Sequence, residues 1–253
     1  MTSEPQAHPY PPAAAHADDV APVPRRIRGV LGGRTVVDTT RATYVWEWSH
    51  YPQYYIPLDD VEPDVLVDES TEHRGRRGRI RVHGLRVGDQ HRAGAAQVVV
   101  ESPLDGVAGT VRFDWAALDH WYEEDEEVFV HPRNPYVRVD ALRSTRHVQV
   151  RLGDTVLADS SSPVLLFETG LPTRYYLPGP DLRHEYLSRT TDTETACPYK
   201  GTTSYYLSAT VDGVQHPDIA WCYSFPTAAV APIAGLVAFY PDKVDVLVDG
   251  QKV

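Results

Sequence analysis

The chain has little sulfur chemistry to offer. Two cysteines, Cys197 and Cys222, in 253 residues make a disulfide framework an unsuitable reading. They read as reduced thiols, with a Cys197–Cys222 bridge as the alternative. No apolar run approaches the roughly 20 residues that a membrane helix needs. The N-terminus has no basic stretch followed by an apolar one, so no secretory signal is visible. Cytoplasmic residence is therefore expected, with no membrane partner. The net charge of −11 argues against a sequence-independent grip on nucleic acid or on an anionic membrane. The motifs GxSxG, P-loop, HExxH and paired CxxC are all missing. The histidines are scattered, so no metal is expected, and nothing calls for a cofactor.

What the chain does have is strand-like sequence. Val148, Val150 and Leu152 alternate with Gln149 and Arg151. Tyr205, Leu207, Ala209 and Val211 alternate with Ser204, Tyr206, Ser208 and Thr210, and Asp212-Gly213 then turns the chain. Val244, Val246 and Val248 repeat the pattern. A period of two marks half-buried antiparallel strands. Helix is expected only in short pieces, around residues 116–127 and 227–235. Residues 1–24, rich in Pro, Ala and His, read as a disordered tail that buries too little surface to offset its ordering entropy.

The chain also repeats itself. At an offset of 121 residues, Gly32-Gly33 falls on Gly153-Asp154, Asp38 on Asp159 and Trp46-Glu47 on Phe167-Glu168. Tyr54-Tyr55 then falls on Tyr175-Tyr176, Ile56-Pro57 on Leu177-Pro178, and Leu66 on Leu187. The register needs no gap from Leu31 to Leu66. A repeat this long is a domain duplication, because solenoid periods run to roughly 20–50 residues. The organisation expected is a tail over 1–25, a first β domain over 26–135 and a second over 136–253.

The copies diverge in the middle. Copy one carries Arg74, Arg76, Arg77, Arg79 and Arg81 with two glycines among them, read as a solvated loop with a phosphate grip as the alternative. Copy two carries Cys197-Pro198-Tyr199-Lys200-Gly201 instead. The acidic run at residues 123–127 between the copies reads as a solvated face, and residues 128–130 as a paired strand.

Glu168-Thr169-Gly170, Tyr175-Tyr176-Leu177-Pro178, Asp181-Leu182, Cys197-Pro198-Tyr199-Lys200-Gly201, Ala220-Trp221 and Val237-Ala238-Phe239-Tyr240 resemble the bacterial domain-of-unknown-function family 427, in a tandem form. The likeness covers nearly all of residues 26–250 and is specific in copy two. Copy one keeps Glu47, Tyr54-Tyr55-Ile56-Pro57 and Asp60-Val61 but lacks the Cys-Pro-x-Lys-Gly signature. The resemblance implies two compact, mainly β, antiparallel domains, similar to β-tent folds without their zinc cysteines. Some labels of the family suggest nucleotidyl transfer, but the chain shows no carboxylate pair or glycine-rich phosphate loop to support it.

The chemistry of copy two points to a polar pocket. A partly buried Lys200 needs an anion, because an unpaired buried ammonium is very costly. Glu168 is the natural partner, or else a ligand carboxylate or phosphate. Tyr175, Tyr176 and Trp221 are the candidate aromatic walls. Tyr199 and Gly201 flank the lysine, and the glycine lets backbone or ligand approach closely. Cys197 becomes a nucleophile only if a neighbour such as Lys200 lowers its pKa. The plain alternatives are a structural Glu168–Lys200 salt bridge, tyrosines covering a core and an inert thiol. The leading expectation is a small-molecule binding domain for a polar or anionic metabolite. The alternatives are an enzyme using Lys200, with Cys197 or Glu168, as acid, base or nucleophile, and a scaffold protein.

Overall fold

The computed structural model describes residues 15–190 and 192–253. Asn134 closes one compact unit, and Pro135–Val253 belongs to the other.

The first unit is built from β1 (Val20–Pro22), β2 (Ile27–Leu31), β3 (Arg34–Thr39), β4 (Thr43–Val45), β5 (Gln53–Pro57) and β6 (Leu66–Gly75). Then follow β7 (Gly78–Val87), β8 (Gln90–Glu101), β9 (Thr110–Phe113), β10 (His120–Glu123) and β11 (Glu126–Val128). They form a seven-stranded sheet in the order β1-β4-β5-β9-β8-β7-β6 and a four-stranded sheet in the order β11-β10-β2-β3. The second unit contains β12 (Val139–Arg143), β13 (Val148–Leu152), β14 (Thr155–Ser160), β15 (Val164–Glu168), β16 (Arg174–Leu177) and β17 (Leu187–Thr190). After them come β18 (Ala196–Cys197), β19 (Gly201–Thr202), β20 (Tyr205–Val211), β21 (Val214–Cys222), β22 (Val237–Phe239), β23 (Asp245–Val248) and β24 (Gln251–Lys252). Its seven-stranded sheet runs β12-β15-β16-β22-β21-β20-β17, its four-stranded sheet β14-β13-β23-β24, and β18-β19 stand as a separate ribbon.

The two orders are the same order. β4, β5, β9, β8, β7 and β6 take the places of β15, β16, β22, β21, β20 and β17, and β10-β2-β3 those of β23-β13-β14. Even the isolated bridges agree, Val37 with Val61 and Ala158 with Leu182. All strand pairs are antiparallel, as period-two patterning requires.

The central strands of the second unit's large sheet, β16, β22, β21 and β20, have two apolar faces. Leu177, Leu207, Ala209, Ala220, Cys222, Val237 and Phe239 pack with Val148, Val150, Val246 and Val248 of the small sheet. Tyr176, Tyr206, Trp221 and Ala238 lie on the opposite face, with Val230 and Ile233 over them. Adjacent strand residues are thus divided between two cores, and the second of these cores is aromatic.

Four expectations need correction. The stretch read as a tail includes β1, which pairs with β4, and Ala15 and Val23 are buried in the first core. Pro22 is tolerated there because β1 is an edge strand and needs no further N–H donor. Residues 116–127 are not helical. A short 3₁₀ turn, Trp115–Ala117, leads into the β10–β11 hairpin. Trp121 and Glu123 turn inward together, as strand residues two apart must. Glu123 therefore leaves the solvated face: 2% exposed, it accepts from Tyr54 Oη at 2.7 Å and pairs with Arg25 and Arg133. Glu124, Asp125 and Glu126 remain exposed at the hairpin tip. The arginine segment is a long hairpin, β6–β7, with Arg76-Arg77 as its two-residue turn. Arg74 pairs with Glu101, Arg76 and Arg77 with Asp18, Arg79 with Glu72 and Glu101, and Arg81 with Glu72, so the basic patch is internally compensated. At residues 227–235 the structure has a 3₁₀ stretch, Ala228–Ile233, interrupted at Val230, whose φ −121° and ψ 24° are not helical.

Gly78 closes the arginine hairpin with φ 117°, and a Cβ there would lie 1.9 Å from the carbonyl oxygen of Glu101. Backbone strain and collision act together. Gly78→Ala is expected to lower stability by about 3 kcal/mol, read as a drop in urea midpoint. An unchanged midpoint would mean that the hairpin does not fold back on Glu101 in this way.

Among the described residues no helix is long and apolar enough to cross a membrane.

Candidate functional site

The site is assembled by four neighbouring strands, β15, β16, β22 and β21, and one ribbon. Glu168 ends β15 and is paired across the sheet with Val139. Lys200 sits in the turn of the β18–β19 ribbon, which the Cys197–Gly201 pairing closes. Gly201 has φ +91°, where an L side chain is strained, although a Cβ would meet its neighbours only at ordinary contact distance. The demand for glycine here is conformational. Thr227 then ties the turn down. Its N–H donates to Lys200 O at 3.2 Å and its hydroxyl to Tyr199 O at 2.5 Å.

So held, Lys200 Nζ donates to Glu168 Oε2. The side chains are only 12% and 9% exposed. The pair lines a cavity of about 180 Å³, together with Leu171, Pro172, Arg174, Tyr176, Thr195, Trp221, Tyr223 and Tyr240. Trp221 Nε1 donates to Tyr176 Oη at 3.3 Å. Trp221 and Tyr240 lie with ring centroids 4.4 Å apart, and the Arg174 guanidinium stands 5.8 Å from the Trp221 ring. Thr195 Oγ1, Tyr206 Oη and Tyr240 Oη form a chain with separations of 2.6 and 3.4 Å.

The electrostatics follow from burial. The phenols of Tyr176, Tyr223 and Tyr240 are all pushed well above the ordinary tyrosine value, desolvation being the main cause for each. They are neutral hydroxyls near neutral pH. The Tyr223 ring is largely buried, and its hydroxyl has no hydrogen-bond partner among the described residues. The Arg174 guanidinium has no carboxylate partner among them either. No group of three metal-binding side chains occurs among the described residues.

Of the residues singled out from sequence, the cavity brings together Glu168, Tyr176, Lys200 and Trp221. Tyr175 is not a wall. It packs against the core between the sheets, because consecutive strand residues point to opposite faces. Cys197, Tyr199 and Gly201 shape the turn and do not line the cavity. Both cysteines are free thiols. Cys222 is buried on the far face of the sheet, where desolvation raises its pKa, so the alternative Cys197–Cys222 bridge is not formed.

Sequence reasoning missed Arg174, Tyr223 and Tyr240. Each lies two residues from a site position: Arg174 from Tyr176, Tyr223 from Trp221, and Tyr240 from Ala238. Tyr176 and Trp221 both pair with Ala238, which joins the three strands into one face. The period-two signal was there, but it becomes a site only through that pairing.

The first unit solves the same positions differently. Tyr55 pairs with Arg112 where Tyr176 pairs with Ala238. Arg112 Nε reaches to 3.2 Å from Glu47 Oε1, and Tyr55 Oη donates to Glu47 at 3.0 Å. Gln97 stands opposite Arg112 where Trp221 stands opposite Ala238. An arginine side chain thus meets the equivalent acid from within the sheet, and the aromatic cup is missing.

A family profile described as a domain of unknown function, DUF427, matches residues 19–124 and 140–250. No curated protein matches the chain.

Proposed function

The chain belongs to family 427, carrying two copies of its domain, and from that premise we propose that the second copy binds a small anionic metabolite in the Glu168–Lys200 cavity. One observation carries the reading. Arg174 presents a guanidinium to an aromatic cup without a protein carboxylate to neutralise it. Lys200 is engaged by Glu168, so Arg174 is the open cation. A cation partly withdrawn from water attracts an anion more strongly than one at the surface, because the local dielectric is lower. The rings of Trp221, Tyr223 and Tyr240 supply apolar contact around it.

The test is ligand-induced thermal stabilisation across a panel of carboxylate and phosphate metabolites. A ligand at about 100 times its Kd should stabilise by about 2.7 kcal/mol. Arg174→Ala is expected to remove that stabilisation while leaving the unliganded melting temperature nearly unchanged. Equal shifts in wild type and variant would overturn the proposal.

A further inference from the structure

The structure assigns this ligand a charge and a shape: a monocarboxylate on a flat, unsaturated body of about one ring. The assignment depends on the cavity being the ligand site proposed above, and its own content is which anion.

The charge follows from the lining. Its only ionic side chains are Glu168, Arg174 and Lys200. Glu168 and Lys200 compensate each other across their hydrogen bond. One positive charge, on Arg174, is left. A single negative charge balances it. A second would be placed in the same small volume as the Glu168 carboxylate, at a like-charge cost that short separation and low dielectric magnify.

The carboxylate follows from the donors. A guanidinium offers a planar fork that matches the two oxygens of a carboxylate. The Tyr223 hydroxyl, without a partner among the described residues, is a further donor on the cavity wall. An incoming carboxylate oxygen can accept from it. Arg174 donates only, which suits a ligand that brings acceptors.

The flat body follows from the walls and the size. About 180 Å³ is below the roughly 300–1,000 Å³ of pockets for drug-sized ligands. Trp221 and Tyr240 offer ring surface, which favours another ring in a stacked or edge-on arrangement. Leu171 and Pro172, both exposed, make an apolar rim past which such a body can extend.

The experiment compares four probes by calorimetry at about pH 8 and low salt: benzoate, phenyl phosphate, benzamide and acetate. Phenyl phosphate is a dianion there, because a phosphate monoester loses its second proton near pH 6. Benzoate is expected to bind about tenfold or more tighter than each of the others. Tyr223→Phe, which removes only a hydroxyl, should weaken benzoate about fivefold, and Arg174→Gln should abolish its binding. Phenyl phosphate binding as tightly as benzoate, with loss in Arg174→Gln, would overturn the charge assignment while the anion site itself stood. Acetate equal to benzoate would overturn the shape. Failure of every anion to bind would take down both this assignment and the ligand-site reading beneath it.

Discussion

Glu168→Ala is expected to destabilise the second unit by about 3–5 kcal/mol, far more than the loss of a surface carboxylate would. Lys200 is 12% exposed and Glu168 9%, and the ammonium is held in place by a turn that Thr227 fixes from behind. Without Glu168 the charge cannot swing into water unless the β18–β19 turn gives way. The cost is that of an uncompensated buried cation, and it is not a measure of what the pair contributes net. The second substitution shows the difference. Lys200→Met in the Glu168→Ala background removes the orphaned charge and keeps the length of the side chain, so most of the lost stability should return. Urea unfolding of the four members of that cycle gives the coupling energy directly. The exposed Arg26–Asp38 pair is the internal contrast, where Asp38→Ala should barely move the midpoint. If Glu168→Ala unfolds at the wild-type urea concentration, the pair is not buried as described.

That pairing was readable in the sequence because it rests on local chemistry and a general cost. A lysine between Tyr199 and Gly201 in an apolar module must find an acid, and Glu168 was the acid that the repeat brought into view. The duplication was also readable, since Gly32-Gly33 and Gly153-Asp154 turn equivalent hairpins in the same register. Tyr175 was misjudged against a rule the sequence itself obeys, for two neighbouring strand residues cannot line one cavity. Arg174, Tyr223 and Tyr240 were hidden for a different reason. Their common face exists only because β16, β22 and β21 are neighbours, and Tyr176 and Trp221 lie 45 residues apart in the chain. No local pattern encodes that pairing. β1 was missed because three residues are too few to show a period, and the β10–β11 hairpin because its acidic run masked Trp121 and Glu123 pointing inward.

High pH should unfold the protein steeply, and tyrosine is the reason. Burial pushes the Tyr44 phenol from the ordinary value of 10.0 up to about 12. The phenols of Tyr54, Tyr55, Tyr176 and Tyr223 are raised further by the same cause, with the carboxylate of Glu123 adding to it at Tyr54 and that of Glu47 at Tyr55. In each case the folded protein holds the proton more tightly than the unfolded chain does. Below pH 10 both states are protonated, and stability does not depend on these groups. Above it the unfolded chain releases protons that the folded chain keeps, so the equilibrium moves toward unfolding by about 1.4 kcal/mol per pH unit for each such phenol. Tyr44 alone would cost about 2 kcal/mol by pH 12, and the more deeply shifted phenols act over the same window. The urea midpoint should therefore be level from about pH 8 to 9.5 and fall sharply by about pH 11. The absorbance of tyrosinate from the buried rings should rise together with loss of structure and not ahead of it. Tyr44→Phe should make the fall shallower by about one proton's worth of slope. A midpoint that stays level to pH 11, or tyrosinate forming fully in a protein that is still folded, would show that these rings are not shielded from water as their burial requires.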